Sequence, residues 1–143
     1  IEARAKYGVA SGFNSEAYIG NGSNHRRFRL GETNTFSIYP DADGQLGVAI
    51  VFGALYLHRE DNGAFQIHAG PMIHKKINDW TIPIILYAGL PLALELSDGR
   101  YYSGSTITLG GILDWPVFEF PIEVGLGLGR MESYAAGGVM VRF

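Results

Sequence analysis

Residues 118–129 have the sequence FEFPIEVGLGLG, in which apolar and non-apolar residues alternate strictly. Phe, Ile, Val and Leu occupy every even position, whereas Glu, Pro and Gly occupy every odd one. Successive side chains of a β-strand point to opposite faces, so this period of two predicts a strand with one wholly apolar face. The alternation returns at the end of the chain, where Val139, Val141 and Phe143 share a face opposite Met140 and Arg142.

The size and composition of the chain limit the class of protein to which it can belong. Its 143 residues predict one domain, 1–143, which is long enough for a closed eight-stranded barrel. Only 17% of the residues are charged, against about 25% in ordinary soluble domains. The net charge of −3 gives no basic footprint, so no nucleic-acid partner is expected. The absence of cysteine excludes disulfides and thiolate chemistry, and we expect no cofactor and no metal.

Eight strands can be read along the chain, and none of the segments has a helical period. They cover about 1–13, 27–39, 45–58, 65–74, 82–95, 101–114 and 118–128, with a last strand that ends at Phe143. The polar segment from Asn14 to Asn24 is expected to be a loop. The longest uncharged runs are shorter than the ~18 residues that a membrane-spanning helix needs. Strands of about ten residues joined by short turns predict an all-β, eight-stranded, antiparallel, up-and-down barrel.

The choice of which face points outward decides the function. An apolar face directed inward overfills an eight-stranded lumen, whereas the same face directed outward meets lipid and leaves small and charged residues inside. We therefore predict a transmembrane β-barrel with a glycine-lined lumen and a paired ion cluster, because an unpaired buried charge is costly. The cluster comprises Glu2, Arg4, Lys6, Glu119, Glu123 and Arg142, and within it Glu2, Arg142 and Glu119 are expected to form one network.

The tail from Gly138 to Phe143 resembles the carboxy-terminal signal of bacterial outer-membrane β-barrels, in which the last strand alternates and ends on Phe. The resemblance implies a Gram-negative cell envelope, with outer-membrane lipid or lipopolysaccharide around the barrel. It also implies the barrel-assembly machinery as a partner during insertion, and a secretory signal peptide that has been removed. A monomer is expected.

Among small barrels of that class, the chain is similar in character to the lipid A palmitoyltransferases. Their mid-strand prolines open lateral gaps for lipid, and Pro71, Pro83, Pro91 and Pro121 fall inside the expected strands, where proline removes a hydrogen-bond donor. The alternative is that these prolines lie at bulges or strand ends.

The resemblance also implies catalytic residues at the outer rim, namely His25 or His58 together with Ser97 and Asp98. The loop order departs from that enzyme group, and the His-x-Ser triplet of lipid A deacylases does not occur in the chain. A loop histidine is more often solvated, and Ser-Asp-Gly is more often a turn. His68 and His74 are expected to make structural hydrogen bonds.

Three functions remain in competition at this point. The leading one is a small integral outer-membrane β-barrel that is not an open porin, because a filled eight-stranded lumen leaves no water channel. The second is an outer-leaflet enzyme that modifies lipid A by acyl transfer or ester hydrolysis. The third is a soluble, lipocalin-like barrel that binds a ligand.

Overall fold

A computed structural model describes residues 2–21, 26–59, 62–78, 80–129, 131 and 133–142. These residues form ten β-strands and no helix. The strands are β1 (Glu2–Ala10), β2 (Phe13–Gly20), β3 (Arg26–Tyr39), β4 (Gly47–Arg59), β5 (Gly63–Ile77), β6 (Ile84–Gly89), β7 (Leu92–Ser97), β8 (Arg100–Asp114), β9 (Phe118–Gly129) and β10 (Tyr134–Arg142). Within the described part of the chain, no helix is long and apolar enough to cross a membrane.

The ten strands form one closed sheet with nine strand positions. Each strand pairs with its neighbours in sequence, except that β6 and β7 together fill a single position between β5 and β8. The two short strands are separated only by Leu90 and Pro91. The sheet closes where β1 pairs with β10.

The closed all-β barrel predicted from the sequence is confirmed, but the prediction of eight antiparallel strands is wrong. The segment 14–24, expected to be a loop, contributes most of β2, which is bonded to β1 and β3. In an up-and-down barrel with an odd number of positions, the first and last strands run in the same direction. Glu2 therefore pairs with Gly138 and Lys6 with Arg142 in a parallel seam, which makes the barrel mixed.

The connections between strands define two rims. The upper rim carries the β2–β3, β4–β5, β7–β8 and β9–β10 connections, and the lower rim carries the β1–β2, β3–β4, β5–β6 and β8–β9 connections. The β7–β8 hairpin turns at Asp98 and Gly99, both with positive φ, as a tight two-residue turn requires. The candidate residues His58, Ser97 and Asp98 thus lie near the upper rim.

The two faces of the sheet differ sharply in chemistry. On β9, Glu119 and Pro121 are buried inside the barrel, whereas Ile122 is 63% exposed and Leu126 is 55% exposed on the outside. The same division holds along the other strands: the buried side chains are mainly small or polar, and 32 large apolar side chains of the described residues are exposed. The barrel therefore has a polar interior and an apolar exterior.

Candidate functional site in the barrel lumen

The interior of the barrel contains a cavity of about 350 Å³. Its wall on the side of β1, β2, β3 and β9 is charged, and includes Arg4, Glu16, Arg29 and Glu123. The opposite wall, from β4 to β8, contributes apolar residues such as Val51, Leu55, Met72, Ile85 and Ile112. A cavity of this size lies at the lower end of the range for small-molecule sites and is bounded by residues of both kinds.

Arg4 is the centre of an ion network on the charged wall. Its guanidinium donates to Oε2 of Glu2, with Nη2 at 2.7 Å, and Nη1 lies 2.9 Å from Oε1 of Glu16. Arg29 makes a second ion pair with Glu2. Each of these side chains is largely buried, and an ion pair shielded from water is screened less by salt than a surface pair. The network joins the first three strands of the barrel.

Aromatic side chains continue this network along the inner wall of the barrel. The guanidinium of Arg29 lies 5.1 Å from the ring centroid of Tyr18 and 5.8 Å from that of Tyr134, within the range of cation–π attraction. The hydroxyls of Tyr134 and Tyr87 then donate to the two carboxylate oxygens of Glu123, each at 2.6 Å. Polar contacts thus run along the inner wall from β3 through β10 and β9 to β6, and these side chains line the cavity.

Each of the three tyrosines lies opposite a glycine on the neighbouring strand. Tyr18 pairs with Gly31, Tyr87 with Gly110 and Tyr134 with Gly125. A Cβ atom added to any of these glycines meets the tyrosine ring well inside van der Waals distance. His68 and His74 face Gly53 and Gly47 in the same way. The glycines therefore provide the space into which the rings fold against the barrel wall.

The structure brings some members of the predicted ion cluster together and separates others. Glu2 and Arg4 are paired, and Nζ of Lys6 lies 3.8 Å from Oε2 of the buried Glu119. Glu123 bonds to tyrosines. The expected network of Glu2 with Glu119 and Arg142 depends on the side chain of Arg142, which lies outside the described residues; in the backbone register Arg142 is opposite Lys6.

Sequence reasoning missed five residues of this site, namely Glu16, Tyr18, Arg29, Tyr87 and Tyr134. Glu16 and Tyr18 fall in the segment assigned to a loop, and Arg29 falls on the least regular of the expected strands. The alternation of Asn14, Glu16, Tyr18 and Gly20 with less polar neighbours is the signal that could have revealed an additional strand with its polar face inward.

The proposed catalytic residues do not form a contact set in the described part of the chain. His58 is exposed on the outer face of β4, whereas Ser97 is buried at the inner face of β7, and β5 lies between the two strands. The carboxylate of Asp98, in the β7–β8 turn, accepts a hydrogen bond from the side-chain amide of Asn62 in the β4–β5 connection. His25 lies outside the described residues.

The inward histidines of β5 are associated with the cavity but do not form a metal site. Nε2 of His68 lies 3.4 Å from Oγ1 of Thr33, at the limit of a hydrogen bond. Nδ1 of His68 and Nδ1 of His74 are buried, and neither has a hydrogen-bond partner among the residues that the structure describes. No group of three or more potential metal-ligating side chains occurs among the residues described.

Two of the four prolines lie at strand ends. Pro83 immediately precedes β6, and Pro91 separates β6 from β7. Pro71 lies within β5, where its carbonyl still accepts a hydrogen bond of 3.0 Å from the amide of Leu90. The sheet therefore remains bonded beside Pro71.

Pro121, within β9, coincides with an interruption of the described pairing between β9 and β10. The two strands pair at Ile122–Gly137 and again at Glu119–Met140, and the positions between these pairs carry no described pairing. The side chains of Glu119, Pro121 and Met140 are fully buried at this point. Three fully buried side chains thus lie inside the barrel wall at the interruption.

A second cluster of ion pairs lies at the lower rim. Nζ of Lys75 lies 2.7 Å from Oδ1 of Asp41 and also donates to the carbonyl oxygens of Ala42 and Gln45 in the β3–β4 connection. Nζ of Lys76 lies 2.6 Å from Oδ2 of the buried Asp114. The hydrogen bond from Lys75 and one from the backbone of Lys76 lower the pKa of the Asp41 carboxyl below its usual value.

The fold and lumen define a closed β-barrel with an ion-paired interior. No protein family, curated protein sequence or solved structure matches this chain.

Proposed function

We propose that the chain is a small integral β-barrel protein of an outer membrane, with a lumen closed by side chains and not an open porin. One observation carries the proposal: large apolar side chains cover the outside of the barrel while carboxylates and guanidinium groups occupy the inside. Transferring a large apolar side chain from water to an apolar environment contributes about 1.5–3 kcal/mol. Contact with lipid therefore makes the folded barrel far more stable in a membrane than in water.

The exposed aromatic residues near the two rims support the same location. Trp80 and Trp115 lie in lower-rim connections and are 65% and 50% exposed, and Tyr101 lies beside the upper rim and is 79% exposed. Amphipathic rings are enriched where a membrane meets water. A band of aliphatic side chains between two aromatic edges is the pattern of a membrane-spanning barrel.

The network of Arg4, Arg29 and Glu123 with three tyrosines supports the closed lumen. These side chains contact one another along the inner wall, and the cavity of about 350 Å³ that they line is too small for a continuous wide pore. Bacterial single-chain barrels have an even number of strands, so the nine positions and the parallel seam depart from the class that the tail resembles. The proposal therefore rests on the distribution of polar and apolar residues and not on the tail.

The two competing functions receive less support. A soluble ligand-binding barrel directs its apolar residues inward, and here Ile122 and Leu126 point outward while Glu119 is buried. An enzyme that modifies lipid A needs a nucleophile and a base on one side of the sheet, and His58 and Ser97 lie on opposite faces.

A lysine scan of two exposed apolar positions tests the proposal. Ile122→Lys replaces a side chain in the middle of β9, whereas Tyr101→Lys replaces one that is even more exposed but lies at the rim. A lysine on the lipid face costs about 2–4 kcal/mol at the bilayer midplane and 0–1 near the interface. We expect only Ile122→Lys to reduce insertion into phospholipid vesicles, measured by flotation and by the heat-dependent gel shift.

The proposal is wrong if the parent chain stays monodisperse in buffer without detergent and does not float with vesicles. Equal tolerance of the two lysines would contradict it as well. Planar-bilayer recordings test the closed lumen, because we expect no stepwise conductance from the inserted parent protein.

A further inference from the structure

A small polar patch interrupts the apolar exterior in the middle of β2 and β3. Ser15 on β2 lies directly opposite Asn34 on β3, and Glu32 is two residues from Asn34 on the same face. Oγ of Ser15 donates a hydrogen bond of 2.8 Å to Oε1 of the exposed Glu32. Among the described residues, Glu32 is the one charged side chain that lies on the outer face away from the strand ends. We call Ser15, Glu32 and Asn34 the outer triad.

The surroundings of the outer triad are apolar or small. Leu30 and Phe36 precede and follow it on β3 and are each 50% exposed, and Phe52 lies opposite Asn34 on β4. Ala17 and Ala54 flank Glu32 on either side in the register. In a membrane this places a carboxylate and an amide against lipid, where polar groups are costly and, when present, are functional.

We propose that the outer triad is a contact surface for a second copy of this chain within the membrane plane. The inference rests on the proposed membrane location, because in water an exposed carboxylate needs no cover. A second copy is favoured because the patch contains both halves of a reciprocal hydrogen-bond set. Asn34 supplies amide donors and Glu32 supplies acceptors, so each can bond to the other residue of the opposite copy, as a two-fold interface requires.

The flanking alanines allow the two barrels to approach closely. Helices in membranes associate through small residues that let backbones come near while polar side chains bond across the interface, and the same packing argument holds for two sheets. Because Ala17 and Ala54 are its register partners, Glu32 has no large side chain directly beside it on either neighbouring strand. Such a dimer replaces the monomer expected from the sequence.

Cysteine cross-linking tests this contact directly, since the chain has no native cysteine. Ala17→Cys places a thiol on β2 beside Glu32. Ala135→Cys places one at an equally outward alanine of β10, two strand positions from β2. In the full chain reconstituted at low density in phosphatidylcholine vesicles, we expect copper phenanthroline to link Ala17→Cys into a covalent dimer several-fold more than Ala135→Cys.

Two further substitutions test whether the outer triad is the cause of the cross-linking. Glu32→Leu in the Ala17→Cys background removes the acceptor and should lower the dimer fraction to the level of Ala135→Cys, while Glu32→Gln keeps an acceptor and should retain most of it. Equal linking of the two cysteine variants, or linking that survives Glu32→Leu, overturns the inference while flotation of the protein leaves the proposed function intact. Failure of the parent chain to float overturns both.

Discussion

Arg29 on β3 forms an ion pair with Glu2 on β1 across Gly20 of β2, which pairs in register with both residues. The glycine between them has no side chain, so the guanidinium reaches over the middle strand to the carboxylate. A second cation, Arg4, bonds to the same carboxylate. The first three strands are thus connected inside the barrel by side chains as well as by their backbone ladders.

Replacing Arg29 with Met tests how much this ion pair contributes to the free energy of unfolding. The change removes one ion pair and two cation–π contacts but leaves Glu2 with Arg4, so the loss is less than the 3–5 kcal/mol typical of a buried carboxylate left alone. We expect Arg29→Met to lower the free energy of unfolding by about 1–3 kcal/mol, measured by urea titration in vesicles. Arg100→Met, at an exposed rim position, is the matched control and should change it little. Equal effects would show that the ion pair contributes nothing specific.

The opposition of glycine and tyrosine gives a second prediction. Gly110→Ala places a methyl group against the ring of Tyr87 and pushes its hydroxyl away from Glu123, whereas Gly111→Ala on the outer face makes only ordinary contacts, the nearest at 3.5 Å from Leu86. Overpacking of this kind costs about 1–3 kcal/mol. We expect Gly110→Ala to reduce the urea midpoint clearly and Gly111→Ala to leave it nearly unchanged. If Gly110→Ala leaves the urea midpoint unchanged, contact with the ring of Tyr87 is not the reason for the glycine.

The sequence predicted the features that depend on single strands and missed those that depend on pairing. The alternation of residues 118–129 gives β9 and its inner and outer faces, because side-chain direction along a strand follows from a period of two. It does not give the partner of an ion pair. Arg4 bonds to Glu16 only because β1 and β2 form a hairpin whose register places residue 4 opposite Tyr18, one inward position from Glu16.

The additional strand, β2, was missed for a similar reason. Asn14, Ser15 and Gly20 have low strand propensity, so a short segment containing them predicts a loop when it is considered alone. Pairing with β1 and β3 overrides that propensity. The location of Ser97 and His58 near the upper rim could be predicted. Their placement on opposite faces could not, because β4 is apolar on both faces in its middle and its alternation does not reveal which face is inward.

A disulfide between β1 and β2 tests the additional strand. Ala5 and Ala17 are register partners with exposed side chains, and in an eight-stranded barrel with a loop at residue 17 they are not held together. We expect Ala5→Cys combined with Ala17→Cys to form an intramolecular disulfide on mild oxidation, seen as a faster band on a non-reducing gel. Ala5→Cys combined with Ala54→Cys, two strand positions further away, should not form it. Equal disulfide formation in the two pairs would contradict the assignment of β2.

Acid should loosen the lower rim through Asp41. Its hydrogen bonds to Lys75 and Lys76 hold its pKa below the usual value of about 3.9, so the folded state binds the proton more weakly than the unfolded state does. The resulting stabilisation is complete above about pH 4, the unfolded pKa, and is lost as the pH falls through the lower folded value.

Because Lys75 is partly exposed, the contribution is under about 1 kcal/mol. Asp41→Asn should therefore be less stable than the parent at pH 6 and equal to it near pH 2, in unfolding titrations at low salt. Asp43→Asn removes a carboxylate from the same connection and controls for the change in net charge. A difference between Asp41→Asn and the parent that stays constant from pH 6 to pH 2 would assign the effect to packing in the connection, since only an ionised carboxylate attracts Lys75.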